Sequence, residues 1–130
     1  MDKEKVFSMK LQKVYPLLVQ KAGRKGRTQQ EVDQVICWLT GYDTAALQRQ
    51  LERDMDYGAF FREAPLAAER SGLVSGVVCG VRMEEVEDPL LRQIRCLDKL
   101  VDELSRGRDM DKILNRERKP RDGGNRKERQ

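Results

Sequence analysis

Asp88-Pro-Leu-Leu-Arg-Gln-Ile-Arg-Cys-Leu-Asp-Lys-Leu-Val-Asp-Glu-Leu104 reads as one helix with a start signal and a continuous apolar side. Aspartate is a strong N-cap, and Pro89 suits the first helical position, where its missing N–H would have no partner. Leu90, Ile94, Leu97, Val101 and Leu104 follow in steps of four and three, and Leu91 and Leu100 widen the stripe. Gly107 can end the helix. A coiled coil normally needs about three or more heptads, and this stripe has only two. The wide face is therefore expected to lie in the chain's own core, with a homodimer seam as the alternative.

The segments before it supply helical partners. Leu11, Val14, Tyr15, Leu18 and Ala22 keep helical spacing. Pro16 belongs in a first turn, which places the start near Lys13 and the end near Gly23–Gly26. Thr28-Gln-Gln-Glu31 is a capping box ahead of Val32, Val35, Ile36 and Leu39, and Gly41 stands at the C-cap. Asp43 caps a third helix with Leu47, Leu51 and Met55 on one side. Tyr57–Ala64 forms a short helix that Pro65 ends, and Asp109 opens a last turn through Met110, Ile113 and Leu114. Leu73–Val81 is ambiguous. Its valines and glycines suit a strand. Val74, Val77, Val78 and Val81, with Gly72, Gly76 and Gly80 four apart on another side, suit a helical turn. The helical turn is favoured, with a short strand or extended loop as the alternative. The expected fold class is all-α. Residues 1–114 form a single small orthogonal bundle of about five to six helices, and residues 115–130 form a disordered basic tail.

Charge sharpens that division. Of 26 bases and 22 acids, residues 115–130 hold seven and three, which leaves 19 of each in the remainder. The surplus of +4 thus belongs to the tail. Every aromatic lies before residue 62, so the second half has only aliphatic residues, methionine and cysteine to bury, and the halves must share a core. The absence of histidine removes His-based acid–base catalysis, histidine activation of serine or cysteine, and His-containing zinc sites. Cys37, Cys79 and Cys96 form no tight pair, which points to reduced thiols rather than a disulfide framework or a thiolate metal site. The N-terminus lacks the apolar run of a signal peptide. The longest mainly apolar stretch has nine residues, against about 20 for a membrane span. A cytoplasmic protein without a membrane anchor, metal or cofactor is expected.

With its segments laid out in this way, the chain resembles one family of small bacterial proteins, the domain of unknown function 2200 (DUF2200). The resemblance rests on Lys5-Val-Phe-Ser-Met9, Val14-Tyr-Pro-Leu-Leu-Val19, Lys21-Ala22, Arg24-Lys-Gly-Arg27 and Val35-Ile-Cys-Trp-Leu-Thr-Gly-Tyr42. It continues through Gly76-Val-Val-Cys-Gly-Val-Arg82, Glu87-Asp-Pro-Leu90, Leu97-Asp-Lys-Leu-Val-Asp-Glu-Leu104 and Met110-Asp-Lys-Ile-Leu114. It implies a small, mainly helical bacterial cytosolic protein with no established activity and no catalytic residues to carry over. Cys96 stands where the family pattern has an aromatic, and the tail after Leu114 lies outside the shared blocks.

Four groups of residues merit weighing as sites. Gly76, Cys79, Gly80 and Arg82 form a glycine-rich segment whose thiol a nearby cation can activate, with Trp38 and Tyr42 as walls of a ligand pocket. Against this, free cysteine is usually a small buried residue and such aromatics are usually core. Lys21, Arg24, Lys25 and Arg27 form a basic cluster at the first interhelix turn, able to hold an anion. If the flanking helices are a helix-turn-helix, the second presents Gln29, Gln30, Glu31, Asp33 and Gln34. Its acids oppose phosphate, and no arginine is there for guanine. Glu84, Glu85, Glu87 and Asp88 make an acidic run better explained as solvated charge and a helix cap than as a metal site. The tail residues Arg116, Arg118, Lys119 and Arg121 can neutralise phosphates but have no aromatics for base stacking.

Three functions follow in order of preference. The first is a non-catalytic interaction or scaffold protein with an unknown protein partner or itself as a homodimer. The second is a nucleic-acid-associated protein held by its tail with low sequence specificity. The third is a small-ligand site or enzyme around Cys79 and Arg82.

Overall fold

The computed structural model describes residues 3–78 and 80–114. Its centre is the helix that the Asp88 stretch encodes. In chain order the helices are α1 (Lys3–Phe7), α2 (Leu11–Gly23), α3 (Gln29–Thr40), α4 (Thr44–Leu51), α5 (Tyr57–Arg62), α6 (Ala67–Ser71), α7 (Pro89–Ser105) and α8 (Met110–Leu114). A short hairpin of β1 (Val77–Val78) and β2 (Val81–Arg82) and a 3₁₀ turn (Met83–Glu85) lie between α6 and α7.

Both ends of α7 are closed locally. The Asp88 carboxylate accepts from the Leu90 N–H at 2.9 Å and the Leu91 N–H at 3.0 Å. At the other end Gly107, with φ +88°, donates to the Leu104 carbonyl while the Arg108 N–H reaches back to that of Glu103. This is a Schellman motif, and it needs the left-handed residue that glycine supplies at no steric cost. Between the caps, Ile94, Cys96, Leu97, Leu100, Val101 and Leu104 are buried. Helices α2, α3, α5, α6 and α8, the hairpin and the 3₁₀ turn all pack on α7. The apolar stripe is thus consumed inside the chain, and a second copy has no access to it without opening the core.

The aromatic first half meets the aliphatic second half in one cluster. Phe60 and Phe61 are each 1% exposed. Their rings meet edge-on at 5.5 Å, and Phe61 meets Tyr57 in the same manner at 5.3 Å. Gly41 allows the chain to turn into this core after α3. Its φ is +87°, and a Cβ there would sit 2.8 Å from the Leu66 side chain.

Several elements depart from the pattern-based expectation. α2 begins at Leu11 rather than near Lys13, which puts Pro16 in the second turn. The start is set by a bridge between Lys10 and Asp56, in which the Leu11 N–H donates to Met55 and the Tyr57 N–H to Met9. Burial of Leu11, Val14 and Leu18, worth roughly 1.5–3 kcal/mol each when complete, outweighs a proline penalty of about 3 kcal/mol or more. The same bridge takes Met55 out of the third helix, which stops at Leu51. α1 and α6 were not foreseen, because neither carries an apolar stripe.

Leu73–Val81 is not a helical turn. Gly76 and Gly80 have φ of +104° and +80°, which no α-helix accommodates, and Val78 pairs with Val81 across a two-residue connection. Val74 is fully buried while Val77 is 51% exposed, so the valines never form one stripe. Cys79 lies outside the described residues, as does the whole of 115–130, the segment read as a disordered tail.

Two consequences can be measured. Leu100→Ala should lower unfolding free energy by about 2–5 kcal/mol, the range for a fully buried leucine that leaves a cavity, in a urea melt. Asp88→Ala should lower the melting temperature at neutral pH by more than Lys3→Ala does. Lys3 reaches Asp88 at 2.9 Å but is half exposed, whereas Asp88 holds two backbone donors as well. Those hydrogen bonds, the Leu91 N–H first and then Lys3, hold the Asp88 carboxyl below its ordinary 3.8. The stabilisation is therefore present above that value and should vanish in melts as pH falls through the depressed one.

Candidate binding surfaces

α3 is two-sided. Val32, Val35, Ile36 and Leu39 face the core. The outer side carries Gln30, Asp33, Gln34, Cys37 and Trp38, again at helical spacing. With Thr44 of α4 and Leu114 at the end of α8, these five line an open depression of about 460 Å3. Among the described residues of the lining, Asp33 is the only charged group. The Tyr15 hydroxyl donates to Asp33 at 2.6 Å and accepts from the Gln29 amide at 2.8 Å. Burial, and then the hydrogen bond to Asp33, push the Tyr15 phenol up to about 12, against the bond from Gln29. Burial likewise raises the Cys37 thiol, with Asp33 and Asp43 adding to the effect. A nucleophilic cysteine needs the opposite shift. The depression offers hydrogen-bond donors, acceptors and an aromatic ring.

Trp38 is fixed from behind. The Arg70 guanidinium lies 5.2 Å from its ring centroid and donates to the Trp38 carbonyl at 2.6 Å. Tyr42, expected as a companion wall, points the other way. Its hydroxyl donates to the Phe60 carbonyl at 2.7 Å and its ring packs 4.9 Å from that of Phe60. Tyr42, Gly76, Gly80 and Arg82 do not line the Trp38 depression. Gly76 sits against Lys99, while Gly80 is open to solvent and Arg82 exposed.

The basic cluster is partly committed. Arg27 pairs with Glu31 at 3.2 Å and donates to the Arg108 carbonyl at 3.1 Å, and Lys21 lies 3.8 Å from Asp102. Arg24 and Lys25 are exposed. Arg116, Arg118, Lys119 and Arg121 lie outside the described residues. In the acidic run, Glu84, Glu85 and Glu87 are exposed and Asp88 serves as the cap.

A second, smaller cavity of about 180 Å3 lies where α1, α2, α5 and α7 meet. Gly58 lets α1 come close to α5, since a Cβ there would stand 3.0 Å from the Phe7 side chain and 3.2 Å from its carbonyl. Tyr57 lines this cavity at 3% exposure, and its hydroxyl has no hydrogen-bond partner among the described residues. A buried unsatisfied hydroxyl costs about 1–3 kcal/mol. Arg95 and Asp98 also line the cavity and pair at 3.5 Å. Burial raises the Asp98 carboxyl, opposed mainly by Arg95. Of these surfaces, pattern reading singled out Trp38 as a pocket wall, but not its grouping with Gln30, Asp33, Gln34 and Cys37 nor the cavity beside Tyr57.

Among the described residues no helix is long and apolar enough to cross a membrane. No curated protein matches the chain. A solved structure, "Crystal structure of uncharacterized protein SP1917", is 43% identical to it with a TM-score of 0.82, covering 88% of this chain and 93% of that one. The family model described as "Uncharacterized protein conserved in bacteria (DUF2200)" matches residues 5–115. On the sequence match and the shared fold together, the chain belongs to the DUF2200 family.

Proposed function

We propose that this protein is a non-catalytic interaction module that receives an extended, basic protein segment on the outer face of α3. The observation that carries the reading is the depression itself, an aromatic ring and a carboxylate set among amides and a hydroxyl on a rigid helix. Tryptophan is enriched among interface residues that dominate binding energy. Gln30 to Trp38 spans about 12 Å along the helix, the reach of about four extended residues. Asp33, the one charged group among the described residues of the lining, favours a lysine or arginine in the arriving segment. The raised Cys37 thiol and the absence of histidine support binding over catalysis.

A second reading has its own support in the charge distribution, since residues 115–130 hold the entire surplus of +4. In that reading Arg116, Arg118, Lys119 and Arg121 contact nucleic acid without sequence preference. Neutralising about four to six phosphates gives a slope of about −4 to −5 in log K against log salt.

A photocrosslinking residue at position 34 tests the first reading in cells. Adducts should map to a recurring lysine- or arginine-bearing peptide and disappear in Trp38→Ala. Adducts no more abundant than from position 49 would refute it. RNA or DNA binding by the full chain that vanishes on deleting 115–130 would establish the second reading, and binding that survives the deletion would remove it. The thiol gives an independent check. Asp33→Asn removes a charge that raises the Cys37 pKa, so alkylation of the Cys37 peptide, followed by mass spectrometry at pH 8, should quicken several-fold.

A further inference from the structure

We propose that the basic segment after Leu114, residues 115–121, occupies the depression on the outer face of α3 within the same molecule, so that the surface is covered by its own chain until a competing segment displaces it. Such docking rests on the reading of this face as a receiver of a basic segment, and it names the segment that holds the face at rest.

Three observations meet here. The first is continuity. Leu114, the last residue of α8, is itself part of the lining. α8 packs on both α3 and α7, and Ile113 is fully buried, so the point from which the chain continues is fixed at the rim of the depression. The second is charge. Residues 115–121, Asn-Arg-Glu-Arg-Lys-Pro-Arg, carry four bases against one acid. Asp33 stands in the lining, and Asp43, the cap of α4 beside Thr44, acts together with Asp33 on Cys37, so two carboxylates border the same site. Asp33 spends Oδ1 on the Tyr15 hydroxyl, and its Oδ2 has no bond among the described residues. The third is reach. Four extended residues from Asn115 cover about 13 Å, which matches the length of α3 from Gln30 to Trp38. Alternate residues of an extended segment share a face, which groups Arg116 with Arg118 and sets Glu117 opposite.

Attachment makes weak contacts sufficient. Exposed ion pairs contribute little one by one, and salt screens them. A segment joined at the rim has no gap to span, and tethering of this kind gives an effective concentration of about millimolar. An arriving peptide at cellular concentration has to compete with that. Guanidinium groups also stack on indole. Arg70 already does so from one side of Trp38, while the ring contributes to the depression that the tail arginines would enter. The outcome is a binding surface that admits a foreign segment only when its contacts exceed those of the chain's own residues.

Trp38 is the single tryptophan of the chain, so its fluorescence reports on this depression alone. In the full-length protein, Arg116→Gln combined with Arg118→Gln should raise the acrylamide quenching of Trp38 about twofold. Lys127→Gln combined with Arg129→Gln, an equal loss of charge farther along, should leave quenching as in the parent. Neither result should change on dilution of the protein. A labelled eight-residue peptide of alternating arginine and serine should bind the first double variant at least threefold more tightly than the parent. Quenching of the first variant equal to that of the parent overturns the proposal, as does quenching of both double variants to the same extent. Protection of Trp38 that fades on dilution assigns the tail to the face of a second copy, and also overturns it. Equal peptide affinity for parent and variant overturns self-occupancy while the reading of the α3 face stands. A peptide that binds neither removes that reading, and the docking of the tail with it.

Discussion

Burial of one amphipathic helix on several sides at once is the constraint from which the rest of this structure follows. α7 offers a stripe too wide for a single partner, and five helices, a hairpin and a 3₁₀ turn share the task of covering it. Non-directional apolar burial drives this arrangement, and the caps at Asp88 and Gly107 fix where the helix begins and stops. Glu103, at the far end of α7, shows how a buried charge is tolerated in such a position. Its carboxylate lies between Lys99 at 3.6 Å and Arg108 at 3.1 Å, and Arg108 is positioned by the same Schellman turn that ends the helix.

The covering elements are themselves two-faced, and that is where binding capacity arises. α3 spends its valine, isoleucine and leucine side on α7 and leaves amides, a carboxylate, a thiol and an indole outward. α1 covers the core without entering it, so a cavity remains beneath it. The two surfaces differ in kind. The first is the larger, mixes amides, a carboxylate and a thiol with an indole, and burial raises its thiol. The second is smaller and lined mainly by apolar side chains, with Arg95 and Asp98 at its edge.

What was legible in the sequence was what local chemistry encodes. The caps at Thr28, Asp43 and Asp88 act within three residues of themselves, so the starts of α3, α4 and α7 could be placed from neighbours alone. The start of α2 depends on Met9, Lys10, Met55 and Asp56 meeting across the fold, and no local signal announces that. The valines of 74–81 keep helical spacing, but the positive φ of Gly76 and Gly80 overrides it. Trp38 and Tyr42 are four apart and would share a face on a continuous helix. Gly41 breaks the helix between them and turns Tyr42 into the core, which separates the two expected walls. Tyr57 was legible as the start of a short helix, but the burial of its hydroxyl near Asp98 comes from tertiary packing.

The central claim is that α7 is the common core of one cooperative unit, and amide hydrogen exchange on α7 measures this directly. The amides of Leu97, Leu100 and Val101 should exchange only through global unfolding, with a free energy equal to that from a denaturant melt, while those of α1 exchange far sooner. Exchange in the middle of α7 at a clearly lower free energy, comparable to that of α1, would contradict the account.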